Sequence, residues 1–264
     1  MINESAKIVK HEKLAEGVFS TSFECCISET ALPGQFVMVG TKSDARLLRR
    51  PISICETDRE KGTIRLVYRV AGYGTAELSK AGTGDEFKLL GPLGNGFSLE
   101  KAQDKKDILL IGGGIGAPPL LSLAQALRRT GIGKDSITAV LGYRSMNAGL
   151  FLNEEFGKEV RVLLSTDDGS VGVRGTVMDA VRERELKPDI IYSCGPLVML
   201  KAVKEFAEEN FIPAYISLEE RMACGVGACL GCMVRTKNKD AHSHVNNARV
   251  CTEGPVFDAS EVEF

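Results

Sequence analysis

Four of the eight cysteines crowd one stretch: Cys224, Cys229 and Cys232 fall within nine residues, and an eighteen-residue gap separates them from Cys251. This spacing constrains the C-terminal fold, because thiols meant for one site must be gathered by tight loops. In a reducing compartment, thiols grouped in this way read as metal ligands, not as a disulfide framework. The order C-x4-C-x2-C…C matches the plant-type ferredoxin spacing for a 2Fe–2S cluster. Gly225, Gly227, Ala228 and Gly231 are small, so the loop can wrap closely and aim backbone N–H groups at cluster sulfurs. The competing reading is structural zinc, although zinc sites usually offer two C-x2-C pairs and only one is present. His242 and His244 lie in the gap. They are alternative ligands at best, and read more simply as solvated loop residues. Cys25, Cys26 and Cys55 read as small buried hydrophobes.

The rest of the chain changes rhythm once. Up to about residue 100, short β-rich runs alternate with Gly and Pro turns, as in Gln35–Val39, Thr63–Val70 and Glu86–Leu90, the last closed by Gly91-Pro92. This pattern predicts an antiparallel barrel or sandwich. The charged run Glu100–Asp107 reads as a solvated linker. Apolar strands at Ile108–Ile111, Ile137–Leu141, Val160–Leu164 and Ile190–Tyr192 then alternate with helical patterns at Leu120–Arg129, Thr176–Arg184 and Leu197–Glu208. Such alternation predicts a doubly wound parallel sheet, with Ala214–Leu218 as its last strand. The expected division is 1–100, 101–218 and 219–264, the last being the small cysteine segment. Hydrophobic residues make up 44% and charged ones 26%, with a net charge of −2, which gives no reason to expect nucleic acid or an anionic membrane as partner. No apolar run reaches the length of a membrane span. Met1–Ser5 lacks a signal-peptide pattern, so a cytoplasmic location is the default expectation.

Two further groups carry chemistry. In the β-rich block, Arg50-Pro51-Ile52-Ser53 offers a guanidinium as phosphate clamp and a hydroxyl as flavin contact. Val67-Tyr68-Arg69 adds an aromatic face and a second cation. Gly72-Tyr73-Gly74-Thr75 opens a helical run, Ala76–Lys80, whose N–H groups can face a pyrophosphate. In the second block, Gly112-Gly113-Gly114-Ile115-Gly116-Ala117-Pro118-Pro119 follows a strand and opens a helix, as dinucleotide loops do. Ser193-Cys194-Gly195-Pro196 repeats that arrangement after the fourth strand. It places Cys194 either beside a nicotinamide or simply at a tight turn. After the second strand comes Tyr143-Arg144-Ser145, where an acidic residue would favour NAD and an arginine could accept a 2′-phosphate.

These residues resemble the ferredoxin-NADP reductase superfamily over nearly the whole chain. The run Leu218–Cys232 resembles, within it, the family of dihydroorotate dehydrogenase B electron-transfer subunits. That resemblance implies a six-stranded FAD-binding barrel, an NAD-binding α/β domain and a 2Fe–2S segment ligated by Cys224, Cys229, Cys232 and Cys251. It implies FAD contacts at Arg50, Pro51, Ile52, Ser53, Val67, Tyr68, Arg69, Gly74 and Thr75. NAD contacts are expected at Gly112, Gly113, Gly114, Gly116, Ala117, Pro118, Cys194, Gly195 and Pro196. The resemblance favours NAD where Arg144 alone hints at NADP. It also implies a separate FMN-bearing catalytic subunit that oxidises dihydroorotate, in a heterotetramer with two of each chain. The alternatives are a diaphorase subunit of another redox complex, such as a bifurcating transhydrogenase, or a non-catalytic iron–sulfur sensor. A flavin is needed between nicotinamide and cluster because one exchanges electrons in pairs and the other singly.

Overall fold

The computed structural model describes residues 1–43, 46–146, 150–239 and 244–264. The N-terminal block forms six strands: β1 (Ile2–Ala15), β2 (Val18–Glu24), β3 (Phe36–Val39), β4 (Arg50–Asp58), β5 (Thr63–Arg69) and β6 (Glu86–Leu93). They close antiparallel in the order β1-β2-β5-β4-β3-β6. Strand alternation explains the closure, since successive side chains leave on opposite faces. Val37, Val39, Ile52, Ile54, Ile64, Leu66, Tyr68, Phe87 and Leu89 fill the interior. Their neighbours point outward, and two outward groups are also buried. Cys55 and Val67 face one core, while Phe36 and Met38 face another. The barrel is therefore covered on two sides.

One cover is a parallel sheet of β7 (Ile108–Gly113), β8 (Ile137–Tyr143), β9 (Arg161–Thr166), β10 (Val173–Arg174), β11 (Ile190–Cys194) and β12 (Ala214–Ser217). The strand order is β10-β9-β8-β7-β11-β12, with a seventh strand, β15 (Val256–Asp258), added beyond β12. Strand β7 shows why helices are needed on both faces. Ile108 and Leu110 pack with α2 (Ala117–Arg129) and α3 (Asn153–Glu159), whereas Leu109 and Ile111 pack with α4 (Val177–Glu183) and α5 (Leu197–Glu209). Pro118 and Pro119 sit in the first turn of α2, where a missing N–H costs nothing. Helix α4 starts on a capping box: Asp179 N donates to Thr176 Oγ1 at 3.3 Å and Thr176 N to Asp179 Oδ2 at 2.7 Å.

Four expectations need correction. Strand β6 does not stop at Gly91-Pro92 but continues to Leu93, because Phe36 of β3 pairs with Leu93. The charged run after residue 100 is not a bare linker: Ala102 is fully buried, and Lys106 N and Asp107 N both donate to Asp189 Oδ2. Ala214–Leu218 is not the last strand. The C-terminal block returns Val256–Asp258 (β15) antiparallel to β12, pairing Ile216 with Phe257. Cys26 is exposed and so is not a buried hydrophobe, unlike Cys25 and Cys55. The returning strand ties the cysteine block to the sheet, and Asn95 N–Gly254 O at 2.6 Å ties it to the end of the barrel. Between these anchors lie β13 (Met233–Arg235) and β14 (Asn247–Arg249), a two-stranded sheet that carries the chain from Cys232 to Cys251.

Candidate functional site

The flavin motif begins β4. Arg50 is partly buried, and its side chain lies against Gly74 in the first turn of α1 (Tyr73–Leu78), where any Cβ would collide with Nε, Cδ and Cζ. Its Nη1 donates to the Leu48 carbonyl. Pro51 and Ser53 project on the outer face, opposite Met38 and Phe36 of β3. Ile52 points into the barrel instead, as its 7% exposure and neighbours there require. Tyr68 likewise points inward, accepting a bond from Thr21 Oγ1 at 3.4 Å, and burial pushes its phenol up to about 12. Val67 faces the sheet and Arg69 is exposed. Thr75 is engaged locally: Oγ1 accepts from Ala71 N at 2.9 Å and donates to Gly72 O at 3.0 Å, fixing the start of α1.

The glycine loop is built for close approach. Gly112, next to last in β7, pairs with Cys194 in the ladder. A Cβ on Gly113 would stand 2.7 Å from Met199 Sδ and 2.8 Å from Pro196 Cδ. One on Gly116 would run into the carbonyl of Cys194. The two loops after β7 and β11 thus touch through backbone. They open at the carboxyl ends of neighbouring strands from which the chain departs to opposite sides, the place where such sheets bind nucleotides. A Cβ on Gly114, which has φ +51, would be 3.5 Å from Arg69 Nη2, so the loop also meets the flavin-motif side of the barrel. Ala117 and Pro118, in the first turn of α2, are buried. Cys194 is partly exposed, yet burial of its thiol is the main effect and pushes it up to about 12, so it is a neutral thiol near pH 7.

The four clustered cysteines come together as two pairs. The Cys224 thiol interacts with Cys229, and the Cys251 thiol with Cys232 and more weakly with Cys224. Burial raises the Cys224 thiol, but donors from Val226, Cys229 and Ala228 outweigh it and bring it to about 7. Cys251 is pushed up to about 12, first by burial and then by Cys232. Val226 N points at Cys224 Sγ at 3.4 Å and Gly227 N at Cys251 Sγ at 3.2 Å. Two pairs of thiols with amide donors suit two irons with two thiolates each. His244 is exposed and His242 lies outside the described residues. The loop packs on the barrel: a Cβ on Gly225 would stand 2.7 Å from Met38 Cγ. Met38 in turn pairs with Pro51, so one buried side chain separates the flavin motif from the cysteines.

Sequence reasoning missed Met38, whose outward burial no local pattern reveals. It also missed Asp167 and Asp168 after β9. Asp167 N donates to Tyr143 O at 3.2 Å and Asp168 N to Arg144 O at 3.4 Å, which holds the loop after β9 against the loop after β8. Hydrogen bonds from Ser170 hold the Asp168 carboxyl below its usual range. A cleft of about 940 Å³ lies elsewhere, between the outer faces of β1, β4 and β5 and the segment 150–155. At its edge Arg65 binds Glu155 through Nη1–Oε2 and Nη2–Oε1, both within 3.0 Å, bridging barrel and sheet.

Comparison with known proteins agrees with this construction. Residues 219–263 match the iron-sulfur cluster binding domain of dihydroorotate dehydrogenase B, and residues 5–97 match an oxidoreductase FAD-binding domain. The dihydroorotate dehydrogenase B (NAD(+)) electron transfer subunit of Geobacillus sp. (strain WCH70) is 40% identical over 264 residues, covering 99% of each chain. That of Bacillus caldolyticus is 44% identical over 89% of this chain and 88% of its own. A chain from the structure of an NADH-dependent reduced ferredoxin-NADP oxidoreductase superposes with a TM-score of 0.86 at 34% identity, over 98% of this chain and 89% of that one. A Neisseria gonorrhoeae ferredoxin NADP+ reductase shares the fold alone, with a TM-score of 0.66 at 17% identity over 78% of this chain and 91% of that one. Barrel, nucleotide sheet and paired cysteines together define an iron–sulfur flavoprotein reductase. The chain belongs to the family of dihydroorotate dehydrogenase B electron-transfer subunits.

Proposed function

We propose that the chain is the electron-transfer subunit of an NAD-dependent dihydroorotate dehydrogenase in pyrimidine synthesis, joined to an FMN-bearing catalytic chain in a cytoplasmic heterotetramer. FAD, when bound, would exchange single electrons with a 2Fe–2S cluster and a hydride with NAD. Cys224, Cys229, Cys232 and Cys251 would hold the cluster. Arg50 is suited to clamp a flavin phosphate and Ser53 to contact the ring, with Pro51, Ile52, Val67, Tyr68, Arg69, Gly74 and Thr75 shaping that site. Gly112 to Pro118 and Cys194 to Pro196 would receive the dinucleotide. Cys194, a neutral thiol, would act by position and not as a nucleophile. NAD is the expected acceptor, and the loop hydrogen-bonded to that of Arg144 carries two acidic residues, Asp167 and Asp168. Residues 1–100, 101–218 and 219–264 serve as flavin, nucleotide and cluster parts.

The observation that carries this reading is the packing of the cysteine loop on Met38, opposite Pro51, because it sets cluster and flavin motifs side by side. The test is reconstitution with a dihydroorotate-oxidising flavoprotein, reading NADH formation driven by dihydroorotate. A second reading, the NADH-oxidising subunit of a bifurcating reductase, draws on the 34%-identical structure. Co-purification separates the two, since the partner chain differs.

A further inference from the structure

Thr252 follows the cysteine Cys251 directly, and its hydroxyl is buried with no hydrogen bond of normal geometry. Most buried polar atoms are satisfied, so such an orphan asks for an acceptor that belongs to the site. The residue cannot easily turn away. Its N–H donates to Arg249 O at 3.2 Å, and its carbonyl accepts from Asn95 Nδ2 at 3.1 Å. A β-branched side chain on a pinned backbone has few rotamers. The side chain packs on the loop that carries the thiols: a Cβ on Gly227 would stand 2.9 Å from Thr252 Cγ2 and 3.4 Å from Oγ1. Gly227 N is itself the donor to Cys251 Sγ, at 3.2 Å. The nearest carboxylate, Glu253, is claimed by Arg249, whose N reaches Oε2 at 2.6 Å and whose Nε reaches Oε1 at 3.1 Å. The Thr252 hydroxyl makes only the last and smallest contribution to holding that carboxyl down.

We infer that Thr252 Oγ1 donates a hydrogen bond to a sulfur of the iron–sulfur cluster and thereby raises its reduction potential. This rests on the reading that the four cysteines hold that cluster. The physics is charge compensation. Reduction adds one negative charge to the cluster, and a donor aimed at a sulfur favours the more negative form. Val226 N and Gly227 N supply two such donors from the backbone. Thr252 supplies one from a side chain, and it is therefore the one that mutation can remove cleanly. It is a positioning and tuning residue, and touches no substrate.

The test uses the full chain, reconstituted with iron and sulfide, in an EPR-monitored redox titration. Thr252→Val keeps the shape and removes the donor, while Thr252→Ser keeps the donor. The expected result is equal iron content in all three chains, a lower midpoint potential for valine, and a potential near that of the parent chain for serine. A valine variant that titrates with the parent chain overturns the inference. If valine fails to retain iron, Thr252→Ala is titrated in its place. Loss of iron from both, with serine retaining it, would assign Thr252 a structural role and overturn the tuning role. An unsubstituted chain that forms no cluster at all would instead sink the ligand assignment, before any variant is compared.

Discussion

Gly116→Ala isolates the contact between the two nucleotide loops. Gly116 has φ −80° and ψ −9°, a conformation alanine adopts freely. Through the backbone alone the substitution should stabilise the chain by about 0.4–1 kcal/mol, because the unfolded state loses freedom. Sterics oppose this. The new Cβ would overlap the Cys194 carbonyl and stand 2.6 Å from Gly195 Cα. Backbone lies on the far side, so no rotamer change can relieve the clash, and overpacking of this kind costs about 1–3 kcal/mol. Taking the difference leaves about 1–2 kcal/mol of strain, concentrated where the dinucleotide would lie. If binding has to absorb it, the KM for NADH rises roughly five- to thirtyfold, at 1.4 kcal/mol per factor of ten. The assay is NADH oxidation with an artificial acceptor that draws from flavin, with flavin and iron content measured in parallel. A variant with unchanged KM and full cofactor content would show that the loops do not form the nucleotide crevice. A raised melting temperature would show that the clash relaxes and the backbone effect wins.

Further perturbations probe the other parts. Arg50→Ala should weaken FAD binding about ten- to a hundredfold, the loss of a charge-assisted phosphate contact worth about 1.5–3 kcal/mol; unchanged flavin occupancy in equilibrium dialysis would remove Arg50 from the site. Cys229→Ser should cost the cluster, because a hydroxyl is a hard, poor ligand for it, while flavin stays and dye-coupled NADH oxidation survives. Dihydroorotate-driven NAD reduction with the catalytic partner should then collapse, and its survival in an iron-free variant would take the cluster off the path. Arg65→Leu strands the Glu155 carboxylate, which at 33% exposure costs less than a fully buried partner, about 1–3 kcal/mol, or a melting point several degrees lower by calorimetry. Asp168→Asn should raise kcat/KM with NADPH several-fold relative to NADH, and an unchanged ratio would show that Asp168 stands apart from the 2′ position.

Local chemistry was legible in the sequence. The ferredoxin spacing located the thiols, and the strand-before, helix-after context located the glycine loop. Alternation in Ile52, Ile54, Ile64 and Leu66 is that of a half-buried strand, and these residues do fill a barrel. What escaped depends on pairs distant in the chain. Met38 is apolar on a strand whose both faces are buried, FVMV, so no alternation marks which way it points. Its partner across the interface, Gly225, is 187 residues later, and a glycine offers no side chain to signal contact. Strand β15 escaped for a related reason: three residues are too short to show a period, and only the exposed edge of β12 makes Val256–Asp258 a strand.

Coenzyme choice shows the same limit in its sharpest form. Read along the chain, Arg144 stands alone after the second strand and points to a 2′-phosphate. Read in space, the loop after the third strand is hydrogen-bonded to it through the backbone and carries Asp167 and Asp168. A single residue in a motif window reports its own charge, whereas specificity depends on the summed charge of adjacent loops. The cluster obeys this too. Its ligands can be counted from spacing, but its potential is set by donors such as Val226 N, Gly227 N and the Thr252 hydroxyl, which only the folded loops bring to bear.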